Sequence, residues 1–276
     1  MSERFFVEPP ISGPRALLSG DEARHLARVM RASIGDEVIL FDGSGVEFLS
    51  RIATIGKAQV ELEIIERRPV DRESQSRLTL AVALPKGERQ KWLVEKATEL
   101  GVARLVPLIT ERGIAQPVAA ALARLRRTVI EASKQCGRNR LMETGEPVEA
   151  RDFFAAEGSG FRVQGSGKES GVRDQSGSGV DSGRELFEQQ KAGRESTPDP
   201  FGPAHCRLIA DPTGSPLATV PRPTGDLVCA VGPEGGFTAA ELAAATEHGW
   251  QQVSLGKSIL RVETAAVAIA AWAAVG

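Results

Sequence analysis

The sequence predicts an α/β protein: a domain built on a mostly parallel sheet, preceded by a small β-barrel. Three patterns carry that expectation. Before about Val70, short apolar runs alternate with turn residues, and one helical stretch sits among them. From Arg77 onward, strand-like runs alternate with helical ones, the order that a parallel sheet with crossover helices requires. A charged run, Val70 to Ser76, separates the two blocks just after Pro69.

In the first block, Val38-Ile39-Leu40-Phe41 is a continuous apolar run, Phe48-Leu49-Ser50-Arg51-Ile52 is a second strand-like stretch, and Val60 to Ile64 alternates with period 2. Asp42-Gly43-Ser44-Gly45 supplies the turn between the first two. Ser19-Gly20-Asp21-Glu22 reads as a capping box that opens a helix through Ala23, Leu26, Ala27 and Met30. In the second block, strands are expected at Leu78–Leu84, Leu105–Ile109, Arg207–Ala210, Leu227–Val231 and Gln252–Leu255. Helices are expected over Glu88–Leu100, ended by Gly101, and over about Leu122–Lys134. A third starts at the capping box Thr238-Ala239-Ala240-Glu241, with Phe237 and Leu242 placed as a hydrophobic staple, and stops at His248-Gly249.

Composition narrows the class. The 276 residues are 41% hydrophobic and 25% charged, enough for a sizeable core, with a formal net charge of −2. Near-zero charge argues against a bulk polycation, so any nucleic-acid contact needs a local basic track. Three cysteines without a C-x-x-C spacing argue against a disulfide scaffold and a structural zinc site, and no ligand set for a metal is expected. Met1 to Pro10 has no apolar core of a secretory signal, and Val262 to Val275, 14 residues, falls short of the ~20 of a membrane span. A cytoplasmic protein that uses no membrane is expected.

The 29 glycines stand against no tyrosine at all. Nine of them lie in Glu157 to Pro200, where 44 residues hold only 7 apolar ones, the composition of a disordered insert. Gly165-Ser166-Gly167-Lys168 within it resembles a fragment of a phosphate loop, but Glu169 follows where Ser or Thr is needed.

Two other glycine-bearing segments carry chemistry. Val231-Gly232-Pro233-Glu234-Gly235-Gly236 joins a strand to the stapled helix, and glycines there bring bare backbone against a ligand. Leu255-Gly256-Lys257-Ser258-Ile259-Leu260-Arg261 leads into the last helix, with Arg261, Glu263 and Thr264 at its start. That helix is otherwise apolar, so its polar end should face a cleft or interface. Two such loops at the ends of adjacent strands would form the ligand crevice of an open α/β sheet.

Six segments occur in a telling order: His25-Leu26-Ala27-Arg28-Val29-Met30-Arg31, Lys86-Gly87-Glu88, Glu99-Leu100-Gly101-Val102, Gln135-Cys136-Gly137-Arg138, Val231 to Gly236, and Leu255 to Thr264. Together they resemble the bacterial 16S ribosomal RNA uracil-N3 methyltransferase family of the SPOUT class, over nearly the whole chain outside the insert. The resemblance implies a PUA-like barrel at residues 1–72 and a knotted SPOUT domain at 73–276 with the insert at about 157–200. It also implies S-adenosylmethionine as cofactor, a homodimer, and 16S rRNA or the assembled small subunit as partner. Gly232, Glu234, Gly235, Gly236, Leu255, Gly256, Leu260 and Arg261 match the cofactor loops.

Within that frame, Arg24, Arg28 and Arg31, with His25 beside them, are spaced to share one helix face. With Lys86, Arg138 and Arg140 they form an expected phosphate track; a solvated face paired with Asp21 and Glu22 is the alternative. Arg261 is the candidate to stabilise the uracil anion, and Glu263 or Glu234 to accept the N3 proton. Cys136 is read as structural. A non-catalytic RNA-binding protein and a SPOUT enzyme acting at another position, such as a ribose hydroxyl, stay open as alternatives.

Overall fold

The computed structural model describes residues 3–8, 10–113, 119–155, 206–222 and 225–274. The expected insert at 157–200 lies outside the described residues. Residues 1–157 and 205–276 form one compact unit.

The first sheet has five strands: β1 (Arg4–Phe6), β2 (Arg15–Ser19), β3 (Glu37–Phe41), β4 (Val46–Ile55) and β5 (Gln59–Pro69), in the order β1-β3-β4-β5-β2. Only β1 and β3 run parallel. Two register shifts between β4 and β5, at Leu49/Ser50 and Ile52/Thr54, bend the sheet around a core that includes Phe5, Leu18, Leu40, Ile52 and Leu62. The sheet curls but keeps β1 and β2 as its edges, a half-barrel where a barrel was expected. The Asp42–Gly45 turn forms as read: Gly43 and Gly45 have φ of 90° and 94°, and the Ser44 N–H donates to Asp42 Oδ1 at 3.0 Å.

The helix of this block departs from expectation. A regular turn, α1 (Gly20–Arg24), passes into a π-helical turn over His25–Val29, where the Met30 N–H donates to the His25 carbonyl. No capping box forms at Ser19, whose side chain caps nothing. The Glu22 side chain is engaged instead by Lys134, 2.9 Å away. Arg31 then leaves the helix in the left-handed region, at φ 55°. The widened turn breaks the four-and-three spacing on which a common face for Arg24, Arg28 and Arg31 depended.

The second sheet is wholly parallel. Its strands are β6 (Leu78–Val82), β7 (Arg104–Ile109), β8 (Glu143–Thr144), β9 (Val148–Glu149), β10 (Cys206–Pro216), β11 (Leu227–Val231) and β12 (Gln251–Ser254). They run in the order β12-β10-β11-β6-β7-β8, with β9 also on β7. The helices are α2 (Glu88–Glu99), α3 (Ala119–Cys136), α4 (Ala150–Ala155), α5 (Ala239–Glu247) and α6 (Val262–Ala274). Gly101 ends α2 at φ 79°, with the Val102 N–H returning to the Ala97 carbonyl. The α5 capping box forms: the Glu241 N–H donates to Thr238 Oγ1, and Glu241 Oε2 accepts from the Thr238 N–H at 2.7 Å. Phe237 and Leu242 pack in one apolar cluster with Phe154 and Trp250, as a staple requires.

Helix α6 leaves the edge strand β12 yet packs against α2, β6 and β11, on the far side of β10. Its buried residues Val262, Ala265, Ala266, Ile269 and Ala270 join Leu80, Leu93 and Cys229 in the largest core. Burial holds the Cys229 thiol well above its ordinary pKa of 9.0, and burial also raises Cys206.

The two sheets are joined by charge. Glu47 on β4 accepts from Arg4 of β1 and from Arg72, whose Nη1 is 2.7 Å away. Arg72 also donates to the Gly137 carbonyl behind α3, and Arg4 to Asn139.

Candidate cofactor cleft and its surroundings

A cleft of about 310 Å³ opens at the carboxyl ends of β10, β11 and β12. This is where ligands enter open parallel sheets, because loops diverge there and leave backbone groups exposed. Gly232, Glu234, Gly235, Gly236, Leu255, Gly256 and Leu260 all line it, seven of the eight residues expected to hold the cofactor. The eighth, Arg261, does not line it; Arg261 is exposed between Leu260 and Val262, which do.

The two loops do not follow adjacent strands, as expected. Strand β10 lies between β11 and β12 and adds Ala210, Asp211 and Pro212 to the floor. Asp211 is fixed by its own turn, its Oδ1 accepting from the Thr213 N–H at 2.8 Å. Glycine is needed in this region for two different reasons. A Cβ on Gly232 would come within 3.0 Å of the Phe237 ring, whereas Gly236 and Gly256 sit at φ 68° and 138°.

Sequence reasoning missed three polar contributors. Arg112, in the loop after β7, donates from Nη1 to the Gly235 carbonyl at 2.8 Å and lines the cleft. That loop is itself tied down, since the Glu111 N–H donates to Glu241 Oε1 at 3.0 Å. Arg89, in the first turn of α2, reaches Glu234 at 3.0 Å. Asp211 is the third. A polar run after a parallel strand was a usable signal for Arg112 and Asp211; nothing in the sequence pointed Arg89 toward the cleft.

A smaller cavity beside the first, about 80 Å³, shares Pro233 and Glu234 with it and is bounded by Lys86, Arg89 and Gly113. Lys86 is thus exposed next to the cleft rather than on the half-barrel. Glu263, expected at an exposed helix end, is 7% exposed and lines neither cavity; its Oε2 stands 3.9 Å from Arg89 Nη1.

The expected phosphate track is partly dismantled. Arg24 pairs with Asp21 at 2.8 Å on an exposed surface, the solvated-face alternative. His25 stacks edge-on against Phe5, with centroids 5.9 Å apart. Arg28 and Arg31 are exposed, with no ion pair among the described residues. Arg140 is also exposed. Arg138 is not: at 4% exposure its guanidinium meets Glu73 and the carbonyls of Val102 and Thr98, which leaves nothing for a phosphate. The sequence spacing could not show that Arg138 and Asn139 turn inward while Arg140 stays exposed. Among the described residues, no group of three or more His, Cys, Asp or Glu is placed to hold a metal, and no helix is long and apolar enough to cross a membrane.

Comparison with known proteins agrees with this geometry. Residues 72–166 and 187–274 match the RNA methyltransferase domain family, and residues 18–65 match the RNA methyltransferase PUA domain. The ribosomal RNA small subunit methyltransferase E of Synechocystis is 30% identical over 96% of this chain and 75% of its own. The Bacillus subtilis protein of the same name is 27% identical over 95% of this chain and 92% of its own. A crystal structure of the Neisseria gonorrhoeae ribosomal RNA small subunit methyltransferase E bound to S-adenosyl methionine superposes with a TM-score of 0.75 at 30% identity, covering 99% of this chain and 96% of that one. With the half-barrel and the parallel sheet each matched, and relatives aligned along almost all of its length, the chain belongs to the ribosomal RNA small subunit methyltransferase E family.

Proposed function

We propose that the protein transfers a methyl group from S-adenosylmethionine to N3 of a uridine in the 16S rRNA of the small ribosomal subunit. The cleft between the two glycine loops carries this reading. Its residues fit the cofactor. The volume falls in the roughly 300–1,000 Å³ range of small-ligand sites. Phe237, Val253, Leu255 and Leu260 offer an apolar wall for an adenine, and Gly235, Gly236 and Gly256 line the cleft with no side chain to cover their backbone. Asp211 and Glu234 add carboxylates to the lining, which suits a ligand that carries positive charge. When bound, the cofactor supplies an electrophilic methyl group on a sulfonium.

The chain's own residues then have to expose a nucleophile. Uracil N3 carries a proton at neutral pH, so that proton must leave before N3 attacks. Glu234 lines both cavities and Glu263 lines neither, so Glu234 is the carboxylate placed to take it, with Glu263 acting from behind. Arg261, exposed at the mouth, would stabilise charge on the uracil oxygens. Aligning N3 with the methyl group supplies much of the remaining acceleration.

In this reading residues 1–72 hold RNA and residues 73–276 carry the transfer. Arg28, Arg31, Lys86 and Arg140 would meet phosphates, with Arg24 and His25 beside them, and the target base would be flipped out of its stack. The path of α6 from β12 back to β6 is what a knotted chain would need. Exposed Trp92 on α2 and Ile259 just before α6 suit a homodimer interface, and a cytoplasmic site of action follows from a ribosomal substrate.

The test is methylation of small subunits purified from cells lacking the enzyme, with labelled cofactor and nucleoside analysis. N3-methyluridine in 16S rRNA is expected. A labelled ribose, or no product, would refute the assignment.

A further inference from the structure

We infer that Arg89 is a positioning residue that fastens the two walls of the cleft to each other. The inference rests on the reading of the cleft as the S-adenosylmethionine site. One wall is the loop from Val231 to Phe237, and the other is the Leu255–Arg261 loop with the start of α6. Each wall has its own support. The Gly236 N–H donates to the Pro233 carbonyl, Arg112 holds the Gly235 carbonyl, and the Ala265 N–H donates to the Arg261 carbonyl.

Arg89 belongs to neither wall. It projects from α2, beneath both, and the same Nη1 lies 3.0 Å from Glu234 of the first and 3.9 Å from Glu263 of the second. Glu263 Oε2 is buried and has no hydrogen-bond partner. A buried carboxylate oxygen without a donor is costly, so Arg89 is the counter-charge this oxygen depends on. The clamp is therefore tight on the loop and long on the helix. Closing the longer gap as the cofactor seats would draw the walls together and satisfy Glu263 at the same time. An arginine suits this task because its guanidinium stays charged at every working pH, whereas a lysine shifts its pKa readily when it is desolvated.

The experiment compares wild type with Arg89→Ala and Arg89→Lys. Calorimetry measures S-adenosylmethionine affinity, and amide exchange follows residues 232–237 and 256–261. In Arg89→Ala, affinity should fall about tenfold, within the ordinary range of coupling between sites. Exchange in both loops should accelerate and the melting temperature should drop, because Glu263 loses its counter-charge, while the KM for RNA stays as in wild type. Arg89→Lys should recover part of the affinity. Glu234→Gln should cost clearly less in the Arg89→Ala background than alone, as expected for members of one unit. Wild-type affinity and exchange in Arg89→Ala would overturn the inference. If that variant fails to fold, additive losses in Arg89→Lys and Glu234→Gln would overturn it instead. Failure of the wild type itself to bind the cofactor would overturn the reading of the cleft, a result visible before any variant is made.

Discussion

Arg138 and Glu73 form a two-pronged ion pair, Nε to Oε1 at 2.8 Å and Nη2 to Oε2 at 2.5 Å. The pair bolts the end of α3 to the segment that leads from the half-barrel into β6. The same guanidinium also donates to carbonyls at and just beyond the end of α2, those of Thr98, Gly101 and Val102. Arg138→Ala would strand a carboxylate and those carbonyls together. A loss of about 3 kcal/mol in unfolding free energy is expected by denaturant titration, at the low end for breaking a buried pair.

RNA binding should divide the arginines the other way. Arg28→Ala and Arg31→Ala should weaken binding to small-subunit RNA and each lower the slope of log affinity against log salt by about 1, with stability unaltered. A folded Arg138→Lys protein should keep the wild-type slope. Filter binding across a salt series reads all three.

Acid should loosen the junction between the sheets. Burial raises the Glu47 carboxyl, but hydrogen bonds from Arg72 and Arg4, with their charges, outweigh it and hold the pKa below the ordinary 4.5. A depressed native pKa means that the stabilisation is complete above the unfolded value and drains away as pH falls through the native one. Thermal melts of wild type should therefore drop below about pH 4.5. Glu47→Gln should be less stable at neutral pH and show a shallower acid decline.

Gly214 is a purely steric requirement. A Cβ there would stand 2.5 Å from the Gln252 carbonyl carbon and the Val253 nitrogen, where β10 resumes pairing with β12 after its register shift. Backbone cannot yield as a side chain tip can, so Gly214→Ala should cost on the order of 1–3 kcal/mol in chemical denaturation. Cofactor affinity should fall with it, because β10 forms the cleft floor.

Arg261→Ala should leave the fold and cofactor affinity near wild type, since the side chain is exposed and outside the cleft lining. Turnover should fall about 10²-fold, the scale of losing one preorganised oxyanion donor. Single-turnover transfer to small subunits measures it; an unchanged rate would remove Arg261 from the chemistry.

The fold was legible where periodicity and punctuation coincide. Leu227–Val231, Gly101 after α2 and the Thr238–Glu241 box all sit where the pattern placed them, because each is a local signal. The cleft loops were legible too, since clustered glycine marks backbone that must turn or stay bare. What the sequence hid were pairings across distance. The Ser19 box lost Glu22 to Lys134, more than a hundred residues away, and β10 slipped between the two strands that carry the loops. Arg138 and Arg140, two positions apart, point one inward and one outward. Arg89 became relevant only once α2 was seen to lie under Glu234.

The cleft draws nearly all its lining from residues 210–265, with Arg112 as the exception. A chain made from its N-terminus therefore completes the half-barrel, β6, α2 and β7 well before any wall of the cleft exists. Binding energy from the methyl donor cannot assist those early steps. It can act only on the last stage, when α6 docks onto α2 and β6. Newly made protein should thus hold a folded half-barrel for a time before it can accept its cofactor, and the cofactor should act mainly on how firmly that final helix stays in place.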